Sequence, residues 1–274
     1  MDDAVLLQDD PAPGVRRLTL NRPAKRNALS NELRGDMFAA LEAADTDPEV
    51  RVIILRGAGT CFSSGYDLAG VGPLPFHTAG NQAQWARHVV EGCFRMWDLA
   101  KPVIAQVHGW CLAGGSELAF ACDLVYVADD AQIGYPAVRT MSPPDNQFYP
   151  WIMGMRAGME LMLTGDSISG TEAVRLQFAN RAFPLASLEA EVLVVAMRIA
   201  KIDPELAQLN KRLVHRQMEA MGLRAGLRAG TELHGLGWHT AASHEFMKTM
   251  RNGVKQALNA RDRRFGDYGT EDQS

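Results

Sequence analysis

Residues 103–123 read VIAQVHGWCLAGGSELAFACD, and the rest of the chain is organised around this stretch. The apolar, β-branched run at 103–107 predicts a buried strand. Gly114 and Gly115 then lead into a helical run, so the first N–H groups of that helix are free to approach a ligand. Such donors suit a developing oxyanion, and Glu117 places a carboxylate beside them. The stretch predicts proton transfer next to a carbonyl, although an ordinary strand, turn and capped helix would give the same pattern.

Length and composition limit the class of protein. The 274 residues suffice for one large core, and the net charge of −4 supplies no basic field, so nucleic acid is not an expected partner. No run approaches the roughly 20 apolar residues of a membrane span, which predicts no membrane association. Four cysteines without a C-x-x-C pair indicate reduced thiols, and we expect a cytoplasmic protein without a metal site. These cysteines are Cys61, Cys93, Cys111 and Cys122.

The pattern of elements changes near residue 200. Before it, predicted strands alternate with predicted helices; after it, the pattern is helical almost throughout. The change indicates a core at residues 1–200 and a helical part at residues 201–274. The main predicted elements are a strand at 15–20, a helix capped by Ser30, a strand at 50–55, a glycine-rich loop at 57–68, and helices at 82–99, 157–163, 171–177 and 188–202.

Several separated segments resemble one known family. In chain order they are LNRP at 20–23 with NAL at 27–29, FSSGYDL at 62–68, PVIA at 102–105 with Gly109, AGGSELA at 113–119 with Asp123, and LTG at 163–165. Their order and spacing resemble the enoyl-CoA hydratase/isomerase (crotonase) superfamily over residues 15–190. The resemblance implies an α/β fold built as a spiral of ββα units, followed by a helical part that packs subunits together. It also implies an acyl-CoA thioester as substrate and no cofactor beyond the coenzyme A of that substrate.

The resemblance assigns binding roles to two loops. The backbone N–H groups of Ser64 and Gly114 match the family's oxyanion hole, which would stabilise a thioester enolate. Lys25 and Arg26 stand where basic side chains can meet the phosphates of coenzyme A, although both also fit solvated surface charges. The loop that would line the adenine and pantetheine comprises Ser63, Ser64, Gly65, Tyr66, Asp67 and Leu68.

The catalytic residues match the family only in part. Glu117 matches the first of two glutamates that the hydratases use as general acid and base. The second glutamate should follow Gly134-Tyr135-Pro136, but this chain has Ala137 there. We therefore expect weak hydration of a simple enoyl-CoA, with Glu117 as the general acid or base. The alternatives are a single-carboxylate isomerase, decarboxylase or hydrolase of a specialised acyl-CoA, and a binder of acyl-CoA without catalysis.

Other side chains could replace the missing carboxylate. Asp145 lies about where the family's benzoyl-CoA dehalogenase branch has an attacking aspartate, or it forms an Asx turn beside Pro143-Pro144. Tyr66 and His77 could act as an acid or a hydrogen-bond donor. Arg139 either binds a carboxylate on the acyl group or forms an exposed salt bridge.

The helical end of the chain carries more apolar residues than a thin layer on one core needs. Large apolar surfaces of this kind are typical of subunit interfaces, so we expect a homotrimer or a hexamer. The residues concerned are Leu206, Leu209, Leu213, Met218, Met221, Leu223, Leu233, Leu236 and Trp238.

Overall fold

The computed structural model describes residues 4–69, 72–78 and 83–268. Its strands are β1 (Leu6–Ala12), β2 (Val15–Leu20), β3 (Val52–Gly57), β4 (Val103–Val107), β5 (Trp110–Leu112), β6 (Leu124–Ala128), β7 (Gln132–Gly134), β8 (Ser167–Ser169) and β9 (Arg181–Phe183). Its helices are α1 (Asn31–Thr46), α2 (Gln84–Trp97), α3 (Gly114–Ala121), α4 (Tyr149–Thr164), α5 (Gly170–Arg175), α6 (Leu185–Ile199), α7 (Pro204–Ala220), α8 (Leu223–Gly237), α9 (Ala241–Arg251) and α10 (Val254–Arg263).

The larger sheet forms the core. Its strand order is β1-β2-β3-β4-β6-β9, and its neighbours pair in parallel except for the antiparallel pair β1 and β2. Every residue of β4 is buried, as expected for a central parallel strand covered on both faces. The predicted strand at 103–107 is confirmed with these bounds.

The smaller sheet, with strand order β5-β7-β8, leads directly into helix α3. Strand β5 is only three residues long, and Ala113 alone separates it from α3. The Ala113 N–H donates to the Gly134 carbonyl at the end of β7 (2.9 Å). The turn into α3 is therefore held by two strands of this sheet.

Local sequence signals explain most of the elements. Ser30 caps α1 as predicted, since its Oγ accepts from the Leu33 N–H at 3.2 Å. Strand β1 was not predicted, because its sequence LLQDDPA is charged, carries a proline and is largely exposed at the sheet edge. Tertiary pairing with β2, in the register Leu6 to Leu20, makes it a strand. The α/β fold with a helical C-terminal part is confirmed.

The C-terminal helices are anchored to the core by a polar cluster. Asp123, just after α3, accepts from the Val103 N–H (2.7 Å) and lies 2.9 Å from Lys211 Nζ and 3.1 Å from His215 Nε2. The His215 ring also stacks on Trp97 of α2, with 3.8 Å between ring centroids. Helix α7 is therefore fixed against the centre of the molecule. Within the described residues, no helix is both long and apolar enough to cross a membrane.

Candidate active site

The turn into α3 presents an unpaired backbone donor. The first amide with a helical partner is that of Glu117, which donates to the Ala113 carbonyl at 3.1 Å. Ala113 has a positive φ of 48°, a conformation that costs an alanine free energy and that sets the direction of the next amide. Among the described residues, the Gly114 N–H has no hydrogen-bond partner. It lies at the positive end of the α3 dipole, where it suits an anionic oxygen.

The second donor differs from the predicted one. The Ser64 N–H donates to the Arg26 carbonyl (2.9 Å), so the prediction that Ser64 lines the oxyanion hole is wrong. Two residues later, Tyr66 pairs with Leu29 in an isolated parallel bridge, formed by the Leu29 N–H to the Gly65 carbonyl and the Asp67 N–H to the Leu29 carbonyl. This pairing turns the Tyr66 N–H away from Leu29 and leaves it without a partner in the described part of the chain.

Gly65 brings the two donors together. Its φ is +101°, and a Cβ at this position would lie 2.9 Å from the Leu112 carbonyl oxygen and 3.1 Å from the Gly114 nitrogen. A side chain here would clash with the turn that enters α3. Because the loop approaches the turn so closely, we assign the Tyr66 and Gly114 amides as the candidate oxyanion hole.

Glu117 is fully buried beside these amides. Its Oε2 accepts from the Tyr66 hydroxyl (3.1 Å), and its Oε1 accepts from the Asn146 N–H (3.0 Å). Burial raises the pKa of Glu117 well above its usual range, and the nearby charge of Asp145 raises it further. A carboxyl with a raised pKa holds its proton to a higher pH and, once ionised, is a stronger base than an ordinary glutamate.

Asp145 supplies a second carboxyl next to Glu117. It is 5% exposed, and its Oδ2 accepts from the Tyr135 hydroxyl at 3.2 Å, so the Asx-turn interpretation is not supported. Burial raises the pKa of Asp145, while His234, Tyr135 and Arg34 oppose that shift. Two carboxyl groups with raised pKa values in one dry site are typical of acid–base catalysis.

The environment of Asp145 extends to helix α8. His234 Nε2 lies 3.3 Å from Asp145 Oδ1 and accepts from Trp238 Nε1–H at 2.6 Å. His234 Nδ1 lies 3.0 Å from the Pro143 carbonyl, which requires a proton on Nδ1. Because Nε2 already accepts from Trp238, the ring donates only through Nδ1, and Asp145 Oδ1 has no hydrogen-bond partner among the described residues. His234 therefore fixes the loop before Asp145 through the Pro143 carbonyl.

Three predicted residues of the glycine-rich loop have structural surroundings. Ser63 is buried, and its hydroxyl donates to the Asn27 carbonyl at 2.9 Å. Asp67 pairs with Arg22 at 2.8 Å, so both side chains hold the loop in shape. Leu68 is half-buried in the same loop.

The remaining predicted residues lie at or near the surface. Lys25 and Arg26 are exposed, as contacts with a phosphate would require. His77 is exposed as well, and its role as an acid or donor stays a prediction. Ala137 lies half-buried in the short 3-10 helix Pro136–Arg139 and brings no titratable group to the site.

Three residues of the site were missed. Tyr135 stood inside the Gly-x-Pro pattern as an unspecified position, and Asn146 contributes its backbone rather than its side chain. His234 comes from a helix far along the chain, and no local pattern indicates its contact with Asp145.

The raised pKa of Glu117 predicts a pH-dependent cost in stability. A raised pKa means that the folded chain keeps a proton that the unfolded chain releases above about pH 4, so stability falls as pH rises from there toward the raised pKa. Glu117→Gln removes this dependence. We expect the melting temperature of the variant to exceed that of the wild type, with a larger gain at pH 8 than at pH 5. If calorimetry shows equal gains in melting temperature at pH 5 and pH 8, the pKa of Glu117 is not raised in the folded chain.

Comparisons with known proteins agree over nearly the whole chain. The sequence model of the enoyl-CoA hydratase/isomerase family matches residues 11–267. The crystal structure of an enoyl-CoA hydratase from Mycobacterium smegmatis superimposes with a TM-score of 0.89 at 30% identity, covering 97% of this chain and 96% of that one. An enoyl-CoA hydratase/isomerase from Xanthobacter autotrophicus Py2 gives a TM-score of 0.86 at 34% identity, covering 96% and 99%. The 2,3-dehydroadipyl-CoA hydratase of Escherichia coli K12 is 31% identical over 237 residues, 84% of this chain and 89% of the relative.

Proposed function

The chain belongs to the enoyl-CoA hydratase/isomerase family, and from this premise we propose that it hydrates an enoyl-CoA thioester through an enolate. Family membership supports an acyl-CoA substrate and a hydratase-like or isomerase-like reaction. The observation that carries the choice of hydration is the second buried carboxyl, Asp145, beside Glu117.

The thioester oxygen binds between the Tyr66 and Gly114 amides. Both donors are without partners in the described residues, so a carbonyl oxygen displaces no protein acceptor from them. As the enolate forms, negative charge collects on that oxygen and both hydrogen bonds strengthen. Removal of one such donor typically costs about 3 kcal/mol of transition-state stabilisation.

Glu117 transfers the proton at the α carbon. The Tyr66 hydroxyl and the Asn146 amide hold its two oxygens in a fixed orientation, and its raised pKa keeps the carboxyl protonated to a higher pH than an ordinary glutamate. Since Tyr66 contributes both the oxyanion amide and this hydroxyl, one residue aligns the carbonyl and the acid. The group that transfers the proton and the donors that stabilise the enolate are thereby held next to each other.

Asp145 activates the water that adds to the β carbon. The Tyr135 hydroxyl and the charge of Arg34 favour its ionised form, whereas Glu117 lacks a cation within salt-bridge distance among the described residues. The pair thus divides into an acid, Glu117, and a base, Asp145. The expectation of weak hydration rested on Ala137 alone, and in this proposal Asp145 fills the role that Ala137 cannot.

Isomerisation is the second candidate, favoured by Ala137 at the position where the resemblance places a hydratase glutamate. A panel of enoyl-, 3-oxo- and malonyl-type CoA thioesters separates the reactions. We expect the enoyl thioester to lose its conjugated absorbance and yield a 3-hydroxyacyl product. A double-bond shift without uptake of water would favour isomerisation, and loss of carbon dioxide from the malonyl thioester would favour decarboxylation.

The exposed bases near the loop predict a binding effect that depends on the phosphates of coenzyme A. Lys25 and Arg26 lie in the turn after β2, and neither side chain forms an ion pair with any described residue. We expect Lys25→Ala with Arg26→Ala to raise KM for the acyl-CoA about tenfold or more. The matched control is the same acyl group on pantetheine, which lacks those phosphates, and its KM should change little. An equal rise for both thioesters would show that these residues act on the loop rather than on phosphates.

The exposed apolar residues support the proposed assembly. Leu223 is buried in its own chain, but six of the residues expected at an interface are more than half exposed. A surface of this kind favours association. We expect a homotrimer or hexamer by light scattering at micromolar concentration, and a monomer would contradict this proposal. The six residues are Leu206, Leu209, Leu213, Met221, Leu233 and Leu236.

A further inference from the structure

Arg34 is a buried cation without a matching anion. It lies on α1 and is 3% exposed, yet no carboxylate of the described residues is within salt-bridge distance of its guanidinium. Its single hydrogen bond there is from Nη1 to the Asn31 side-chain oxygen at 3.2 Å. A buried guanidinium with one neutral partner for its five N–H donors destabilises the fold unless a bound anion compensates it.

The guanidinium lies beside the reactive groups. Its carbon is 5.5 Å from the Tyr66 ring centroid and 5.2 Å from that of Trp85, which hold its position by cation–π contacts. Burial lowers the pKa of Arg34, and the carboxyl groups of Asp145 and Glu117 act against that shift. The guanidinium is therefore placed beside the residue whose amide would bind the thioester carbonyl.

Other buried polar atoms in the described part of the chain lack partners, both on the loop that contacts Glu117 and on α2. The side-chain nitrogen and oxygen of Asn146 and the Nε2 of His88 are buried and make no hydrogen bond within the described residues. His88 lies one helical turn after Trp85 on α2. Burial, together with the charge of Arg34, lowers the pKa of His88 to about 4, so the ring is neutral at physiological pH. Buried polar atoms nearly always have partners, and here a ligand would supply them.

Two other charged residues neither neutralise Arg34 nor share its role. Asp145 accepts from the Tyr135 hydroxyl and makes no hydrogen bond or ion pair with Arg34. Arg139, which the sequence offered as a carboxylate-binding residue, is unsuitable. Its side chain is 2% exposed rather than at the surface, and its donors are taken by Thr164, Asp166, Asp262 and Asp267.

We propose that Arg34 binds a carboxylate at the far end of the acyl group, so that the substrate is the mono-CoA thioester of an unsaturated dicarboxylic acid. The inference rests on the proposed function for the thioester end. The planar guanidinium offers two parallel N–H donors to a carboxylate, a pairing that a lysine cannot reproduce. The neutral ring of His88, which feels the charge of Arg34, adds a polar group to that end.

The test compares two enoyl-CoA thioesters of equal length, one ending in a carboxylate and the other in the matching carboxamide. We expect the wild type to prefer the carboxylate by at least about 100-fold in kcat/KM. Arg34→Met should lower that preference at least tenfold, and Arg34→Lys should lie between the two. A wild type that prefers the carboxamide, or an Arg34→Met enzyme that loses both activities equally, would overturn the inference.

A binding measurement separates this inference from the proposed function. Titration calorimetry of Glu117→Gln, which binds without turnover, should show tighter binding of the carboxylate thioester, and Arg34→Met added to it should remove the difference. Equal affinities of the two thioesters for Glu117→Gln would overturn the inference even if the wild type hydrates both. Absence of turnover in the wild type with the affinity difference intact would instead refute hydration alone. Because Arg34→Met removes a buried unpaired charge, its melting temperature should be no lower than that of the wild type.

Discussion

Glu117→Gln is expected to lower thioester turnover by at least about 10³-fold while leaving the affinity for acyl-CoA within a few-fold of the wild type. A glutamine keeps the size of the side chain and can still accept from the Asn146 amide or the Tyr66 hydroxyl. It cannot exchange a proton with the α carbon. Binding rests on the Tyr66 and Gly114 amides and on the loop, none of which depends on the carboxyl.

Steady-state rates and a titration of the same preparation measure the two quantities together. Turnover within a few-fold of the wild type would refute the acid–base role and favour a different nucleophile, with Asp145 the first candidate. Loss of both turnover and binding would mean that Glu117 shapes the pocket rather than the chemistry. Retained turnover with weaker binding would assign Glu117 to substrate binding instead of proton transfer.

Asp145→Asn is expected to slow hydration by about 10²–10⁴-fold, the usual contribution of one general acid or base. The asparagine keeps the hydrogen bond from Tyr135 but cannot remove a proton from water. Removal of the charge at Asp145 also lowers the pKa of Glu117, because that charge is one cause of its rise. The pH–rate profile of the residual activity should therefore shift toward lower pH, as expected if the two carboxyl groups interact.

Ala137→Glu in the Asp145→Asn background is the matched test of where the second carboxyl belongs. If the segment Pro136–Arg139 keeps the family geometry, the new carboxylate should restore part of the lost hydration. No restoration, together with normal folding, would show that position 137 does not reach the water. Unchanged hydration in Asp145→Asn alone would show that neither site is needed.

The sequence predicted the elements that local chemistry decides. The β-branched run Val103–Val107 has a buried strand as its natural outcome, and Ser30 is a strong helix cap, so both occur as expected. Strand β1 shows the limit, because its charged sequence forms a strand only through pairing with β2. Local propensity cannot contain that information.

In the candidate site, too, residues close in sequence could be predicted, and residues brought together by the fold could not. Glu117 and Gly114 lie within one turn of helix and could be recognised together. The second oxyanion donor could not, because the free amide in the glycine loop is set by the bridge between Leu29 and Tyr66, two residues from the predicted Ser64. His234 and Arg34 reach the site from helices distant in sequence, and only the folded chain shows that their side chains are buried there. Composition and motif spacing do not predict such contacts.

The most direct test of enolate formation is the exchange of α protons of a saturated acyl-CoA in deuterated water, followed by NMR or mass spectrometry. This thioester cannot be hydrated or isomerised, so any exchange reports proton removal against the oxyanion hole alone. We expect the wild type to incorporate deuterium at the α carbon and Glu117→Gln to incorporate none. Rapid hydration of the enoyl thioester with exchange unaffected by Glu117→Gln would contradict the enolate mechanism with Glu117 as its acid and base.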